Sequence, residues 1–486
     1  MLNQLPGAGP SGRAQLPGHA CPGESEYTVD NSSFQALQEK VWGQVITSDQ
    51  ADYDTARAVF NGMIDKHPAA ILRVSQVADV IEGVNFARDT GLDLALRGGG
   101  HSAPGFGTCD GGLVIDFTGC RGVRVDPANA TARTEAGATW ADFNYATCAF
   151  GLATTGGIIG STGVAGLTLG GGIGYLARKY GLSCDNLKSA DVVTADGKFL
   201  VASNTENEDL FWALRGGTGN FGVVTSFEFN LHPMDVLYGG VIIYQLEHAD
   251  AVAQLYRDYI ATAPEDMGIF LGFHQGPPVP FLPEEYHGKP VVVLVGGWTG
   301  AHDEGERQWQ PFLDVAPVAG SFLGPLPYPV LNTLFDPMYP KGLQAYWKSE
   351  FLPNLTDDVV RVAEKFGRAI PSVQTANHFY PINGAVQRVG RDETAFPYRD
   401  VNFAMDIACH WEDPADNEAN TKWVRDYSAE LRPFGSGAGY VNFLDADDQS
   451  QIEGTYAGNY ARLAEVKAKY DPGNLFHVNQ NVKPAG

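Results

Sequence analysis

Positive charge is scarce in this chain of 486 residues: 33 Lys and Arg stand against 57 Asp and Glu, a formal net charge of −24. Such a surface repels phosphate backbones and anionic headgroups, which argues against nucleic acid and membrane surfaces as partners. Cysteine is equally sparse. Its six residues (Cys21, Cys109, Cys120, Cys148, Cys184 and Cys409) lie far apart, with no C-x-x-C and no zinc-type spacing to the 11 histidines. Neither a disulfide scaffold nor a structural metal site is indicated. Long apolar runs are missing as well. No charged residue falls between Asp142 and Arg178, yet positions 151–177 hold ten glycines, four threonines and a serine, too polar and loose for a spanning helix. The segment from Met1 to about Asp30 has neither the basic start nor the apolar stretch of a secretory leader, and reads as a loose lead-in to a cytoplasmic protein. On that reading the Asn-x-Ser/Thr sites at Asn31, Asn129 and Asn354 are chance matches.

What the chain does have is glycine, 58 residues, or about 12% against a usual ~7%. It also has 44% hydrophobic and 11% aromatic residues, enough for a large core. The length accommodates two or three packed units. From Ile71 to about Leu231, short β-branched runs (71–74, 92–96, 112–116, 189–193) alternate with turns and a helical pattern at Gln76 to Thr90, an α/β texture. From about Met234 to Gly454, strand-like runs at 240–244, 269–273, 290–295, 344–349, 376–380 and 401–411 are separated by helix-like stretches near 249–261, 357–366 and 416–431. That pattern predicts an antiparallel sheet with helices on one face. A helix at Tyr460 to Lys469 and a Pro/Asn-rich tail then return to the first region.

The glycines cluster in three places. Arg97-Gly98-Gly99-Gly100-His101-Ser102 follows directly on a strand, where consecutive glycines can turn backbone N–H groups toward one point; a tight strand connection would look the same. Gly156 to Gly174 is so glycine-rich that it suits close approach to something large and flat. Within it, Gly172-x-Gly174-x-x-Ala177 with a later Asp191 matches a dinucleotide fingerprint and supports a rival reading, a nicotinamide dehydrogenase. Against that rival, the match lies deep in the chain and no regular βαβ unit surrounds it. The third cluster, Leu214 to Val224, precedes a strand at 225–230. On the predicted strand 401–411, Asn402, Ala404, Asp406, Ala408 and His410 share one face, so an acid flanked by alanines suggests a pocket wall. An exposed strand face is the alternative.

In this order the motifs resemble the FAD-linked oxidases of the vanillyl-alcohol oxidase superfamily, in particular the berberine bridge enzyme-like group and its bacterial relatives. The resemblance spans roughly Pro68 to Pro484. It rests on 97–102, on 156–187 ending Arg178-Lys179-Tyr180-Gly181-Leu182-Ser183-Cys184-Asp185-Asn186, and on 209–224. Ala395-Phe396-Pro397-Tyr398-Arg399 and the tail 470–481 complete it. It implies an α+β fold: a PCMH-type FAD-binding domain of two α/β subdomains plus an antiparallel-sheet substrate domain covered by helices. The boundaries expected are 1–30 lead-in, 31–235 FAD-binding, 236–454 substrate-binding and 455–486 the C-terminal return.

The same resemblance implies FAD bonded covalently to His101. The cofactor would be held by Arg97, Gly98, Gly99, Gly100, Ser102, Gly105, Gly157, Gly160, Ser161, Thr162, Gly163, Gly166, Gly172, Ile173, Gly222, Val224 and Asn479. The cysteine that links flavin C6 in many plant members is matched by Ile159, so a single covalent bond is expected. Asp406 matches the family's base, and Tyr456 an active-site tyrosine motif; Thr455, or a merely packed aromatic, is the alternative there. Departures at Ala103, Ile173 and Ala404 remove most of the plant-type phenol-recognising set. Thr162, shaped like valine where the family controls oxygen access, favours an oxidase passing electrons to O2 over a dehydrogenase. The implied reaction is hydride removal from a CH–OH, CH–NH or activated C–H group of a small organic or sugar-like molecule. A non-catalytic ligand-binding protein is the remaining rival.

Overall fold

The computed structural model describes residues 29–234 and 236–486; residues 1–28 of the expected lead-in lie outside the described residues. The short β-branched runs of the first region pair into two sheets. In the first, strands Gln44–Ile46, Ala70–Arg73, Leu113–Asp116 and Leu94–Arg97 lie in that spatial order, the last three parallel. A parallel step needs a crossover, and the helix Val77–Thr90 supplies it with Val80, Val84 and Ala87 turned to the core. Gly91 closes that helix at φ +71°, a left-handed conformation glycine adopts without penalty. The second sheet orders Val123–Asp126, Thr131–Glu135, Val223–Asn230, Leu187–Val193 and Phe199–Ser203, all antiparallel.

The second region forms one seven-stranded antiparallel sheet. Its order is Val318–Pro327, Val236–Gln245, Pro290–Trp298, Met267–Gln275, Ala376–Pro381, Phe403–Trp411 and Gln344–Leu352. Strand alternation divides its side chains between two cores. Ile242, Leu271, Val292, Phe379, Met405 and Ile407 pack under the helices Ala249–Ile260, His302–Asp314, Asp357–Gly367 and Asn417–Leu431, through Tyr256, Trp309, Val360 and Tyr427. Val241, Ile243, Phe270, Val293 and Ala404 face the other way and merge with the core of the first two sheets. The fold is α+β. The strand Val318–Pro327 carries two prolines and two glycines and was not foreseen from its sequence; it is an edge strand paired on one side, where such residues are tolerated.

Three buried polar ties fix how the parts meet. Arg399 donates from Nη1 and Nη2 to the two carboxylate oxygens of Asp185 at 2.8 and 2.7 Å, joining two of the sequence motifs across the core. Lys467, fully buried, donates to Asp471 (2.7 Å) and to the carbonyls of Asn220 (2.7 Å) and Phe476 (2.8 Å), which holds the tail against the third glycine cluster. Asn61 donates to the carbonyls of Ala103 (2.7 Å) and Ala345 (2.9 Å) and accepts from the Ala345 N–H at 3.0 Å. That side chain clasps the loop after His101 to the first turn of the strand Gln344–Leu352.

Candidate active site

Between the glycine clusters and the open face of the large sheet lies a cavity of about 340 Å³. Much of one wall is bare backbone. A Cβ on Gly99 would stand 2.4 Å from the amide nitrogen of Gly163, and one on Gly163 2.5 Å from that of Gly99, so these two loops touch only because both lack side chains. At Gly166 and Gly219 a Cβ would meet no protein atom within 4 Å and would project into open space at the chamber wall. This is a cradle for a large flat group, and its lining fits FAD.

Arg97, Gly98, Gly99, Gly100, His101, Ser102, Gly157, Ile159, Thr162, Gly163, Gly166, Ile173, Gly222, Val224 and Asn479 all border the chamber. Four expected cofactor residues do not. Gly105 packs on Ile64, where a Cβ would come within 2.6 Å of Cγ2. Gly160 donates its N–H to Asp336 at 2.7 Å. Ser161 faces away from the chamber but reaches His101. Gly172 donates its N–H to the Tyr440 hydroxyl at 2.7 Å, and a Cβ there would meet Ser183 Oγ at 2.2 Å, so its glycine serves packing. The dinucleotide fingerprint fails for the same reason. A Cβ on Gly174 would lie 1.7 Å from the Gly156 carbonyl oxygen, the helix Ala177–Tyr180 is a single turn, and Asp191 is taken up by Arg133 at 2.7 Å and Ser226 at 2.5 Å.

His101 stacks on Phe60, with ring centroids 4.0 Å apart and planes at 18°. Its Nε2 lies 3.0 Å from Ser161 Oγ and its Nδ1 3.4 Å from Thr162 Oγ1. Burial lowers its pKa to about 4, so the imidazole stands neutral and retains a lone pair.

Asp406 borders the same chamber, 5% exposed, with Ala408 and His410 beside it on one strand face. Its Oδ1 accepts the backbone N–H of His378 at 2.6 Å and its Oδ2 the Tyr380 hydroxyl at 2.9 Å. Those two bonds favour the charged carboxylate, but burial outweighs them and raises the pKa to about 7. Burial, reinforced by the Asp406 charge, holds Tyr380 well above its ordinary range, so it remains a donor. Burial drives His378 well below its usual value, and its Nε2 lies 2.9 Å from that of His274. Tyr339, Trp347 and Phe443 add aromatic rings to the lining.

Tyr456 does not join them. It is buried at the end of the helix Ile452–Tyr456, Thr455 is bonded to the Gln451 carbonyl, and neither borders the chamber. The hydroxyl that reaches Asp406 is that of Tyr380. His378 and Tyr380 were missed although the clue that exposed Asp406 was present: Ala376, His378 and Tyr380 alternate along the strand Ala376–Pro381, and all three border the chamber.

Comparison with known proteins points to the same cofactor. Residues 68–203 match the FAD binding domain family and residues 439–483 the family described as berberine and berberine like. An FAD-linked oxidoreductase of Dictyostelium discoideum is 30% identical over 422 residues, covering 86% of this chain and 89% of the relative. The chain belongs to the berberine bridge enzyme-like FAD-linked oxidoreductases. The (R)-6-hydroxynicotine oxidase of Paenarthrobacter nicotinovorans is 28% identical over 471 residues, covering 94% of this chain and all of that one. Among solved structures, 6-hydroxy-D-nicotine oxidase from Arthrobacter nicotinovorans superposes with a TM-score of 0.81 at 26% identity, over 92% of this chain and 98% of that one. The glucooligosaccharide oxidase of Acremonium strictum gives 0.81 at 25% identity, over 95% and 100%. This berberine bridge enzyme-like protein is therefore an FAD-dependent oxidoreductase. No helix among its described residues is long and apolar enough to cross a membrane.

Proposed function

We propose that the protein is an oxidase that binds FAD in the glycine-walled chamber, covalently through His101 alone, and removes hydride from a CH–OH, CH–NH or activated C–H group of a small organic or sugar-like molecule. The observation that carries this reading is that His101, from the loop after the strand Leu94–Arg97, and Asp406, from the large sheet, border one chamber. Residues 31–235 and 455–486 form the FAD-binding part and 236–454 the substrate part. The neutral imidazole of His101 is a nucleophile for the tether, and Ile159 offers no second one. When bound, FAD supplies the acceptor for the hydride and passes the electron pair on, to O2 in this reading, with Thr162 at the chamber wall.

Asp406 is the base. Its pKa near 7 leaves a large fraction charged at neutral pH while matching the proton it must take, the condition under which general-base catalysis is most effective. The Tyr380 hydroxyl and the His378 N–H hold the carboxylate plane and stabilise its charged form. The aromatic walls exclude water from that end and orient a ring-sized substrate.

The test is anaerobic reduction of the bound flavin by a panel of aryl alcohols, cyclic amines and oligosaccharides, followed by admission of air and assay of H2O2. A reducing substrate should consume O2 and release one H2O2 per turnover. Asp406→Asn, which keeps an acceptor for the His378 N–H, should slow reduction by about 10²–10⁴-fold with the flavin still attached. Unchanged reduction in that variant would remove Asp406 from the role, and reduction without H2O2 would make the protein a dehydrogenase.

A further inference from the structure

The carboxyl edge of the four-stranded sheet gathers charged side chains. Leu94 and Leu96 face the flavin chamber, whereas Ile71, Ala95 and Val114 pack on the opposite face with Tyr53 and Ala56. Arg73, Arg97 and Asp116 share that opposite parity. They are the last residues of three neighbouring parallel strands, in the register Arg73↔Asp116 and Arg97↔Asp116. Ligands in α/β sheets collect beyond the carboxyl ends of the strands. Here that edge opens onto a separate cavity of about 410 Å³ behind the Gly98–His101 loop, completed by Lys341 and Asp336.

The charges in this cavity do not cancel. Asp116 is used up by Arg97 Nη2 at 3.1 Å, Arg73 Nε at 3.6 Å and the Thr118 N–H at 3.0 Å. Asp336 accepts the Gly160 N–H, and burial raises its pKa. Arg97, which borders both cavities, is 4% exposed, and its Nε and Nη1 have no partner among the described residues. Lys341 is exposed to solvent and pairs with no carboxylate among the described residues; partial burial, then the Arg97 charge, lowers its pKa. Three cationic side chains thus meet two carboxylates that are already engaged, in a chain whose net charge is −24. Solvent reaches Lys341 and Arg73, whereas the buried Arg97 donors lack a partner; an oxyanion would satisfy those donors and balance the local charge.

We propose that this cavity binds a small oxyanion of the carboxylate or phosphate kind, held by the unpartnered Nε and Nη1 donors of Arg97 together with Lys341 and Arg73. The site adjoins His101, which borders both cavities. Anion binding itself does not depend on the assignment of base or tether.

Calorimetric titration of the purified holoprotein with inorganic phosphate, acetate and chloride at constant ionic strength tests it. Saturable one-to-one binding of phosphate or acetate, not reproduced by chloride, is expected, and the tighter of the two assigns the anion class. Lys341→Ala should weaken binding about tenfold or more and Lys341→Arg should largely restore it, while Lys289→Ala, an exposed lysine outside the cavity lining, should leave it unchanged. Retained flavin absorbance in each variant verifies the fold. Absence of saturable binding overturns the proposal, as does a Lys341→Ala protein that titrates like its parent or a Lys289→Ala protein weakened equally.

Discussion

The imidazole of His101 lies face to face on the ring of Phe60, 4.0 Å away. Phe60 is itself pinned by backbone bonds, donating its N–H to the Gly100 carbonyl at 3.0 Å and accepting the Gly342 N–H at 2.9 Å. The ring plane of the proposed tether is therefore set by a segment that bridges both halves of the molecule. Phe60→Ala should slow covalent flavin incorporation into apoprotein, by up to about 10²-fold if the imidazole is displaced by an ångström. Phe60→Tyr, which keeps the stacked face, should not. Equal incorporation rates in the Ala variant and the parent would make Phe60 a packing residue only.

The pKa of Asp406 predicts a pH profile. A base must be deprotonated to act, so the rate of flavin reduction should rise with pH, half-maximal near 7, and level off above it. The groups facing Asp406 are His378 and Tyr380, with Tyr339 and Tyr427 also within reach of its charge. Burial holds these histidine and tyrosine groups neutral across that range, so a single rising limb is expected. The same shift affects stability with the opposite slope: the folded state binds the Asp406 proton more tightly than the unfolded chain, so this group's contribution falls as pH rises from about 4 toward 7. A flat rate profile between pH 5 and 9 would contradict the assignment.

Two glycines at the chamber separate packing from binding. Gly99→Ala places a methyl 2.4 Å from the Gly163 amide nitrogen, so it should destabilise the fold by about 1–3 kcal/mol. The Cβ of Gly219→Val stands more than 4 Å from any described protein atom beyond its chain neighbours, so the melting temperature of the apoprotein should hold while flavin loading falls. Thermal melts with and without added FAD distinguish them. Full loading of the Gly219→Val protein would show that this wall does not touch the cofactor.

Asn61→Ala removes a buried side chain that serves three backbone groups across the two halves of the chain. It should lower stability by about 1–3 kcal/mol, with the leading loss seen as reduced protection of amides around Ala103 and Ala345 in hydrogen exchange. Exchange identical to the parent at both positions would show that the clasp is not structural.

Period-two alternation revealed the two-faced strand carrying Asp406 because its burial environments differ so sharply: Met405 and Ile407 under helices, Ala404 and Ala408 at the chamber side. Glycine density marked the chamber wall for an equally physical reason, since bare backbone is the only way two loops touch at Gly99 and Gly163. What stayed hidden arises from long-range register. Asn61 meets Ala345 across 284 positions, and Tyr380 reaches Asp406 only through the pairing of their strands. Tyr456 lies off the chamber, as in the packed-aromatic alternative, and its sequence could not decide, because a tyrosine at a helix end has the same local sequence whether it faces a ligand or a core. Gly172, likewise, was drawn into a cofactor motif by spacing when its backbone answers to Tyr440.

The most direct measurement is where the flavin goes when the purified yellow protein is denatured with acid and centrifuged. Flavin absorbance should sediment with the wild-type polypeptide and remain in the supernatant for His101→Ala. Wild-type flavin left wholly in the supernatant, or flavin still fixed to the His101→Ala chain, would contradict the tether through His101.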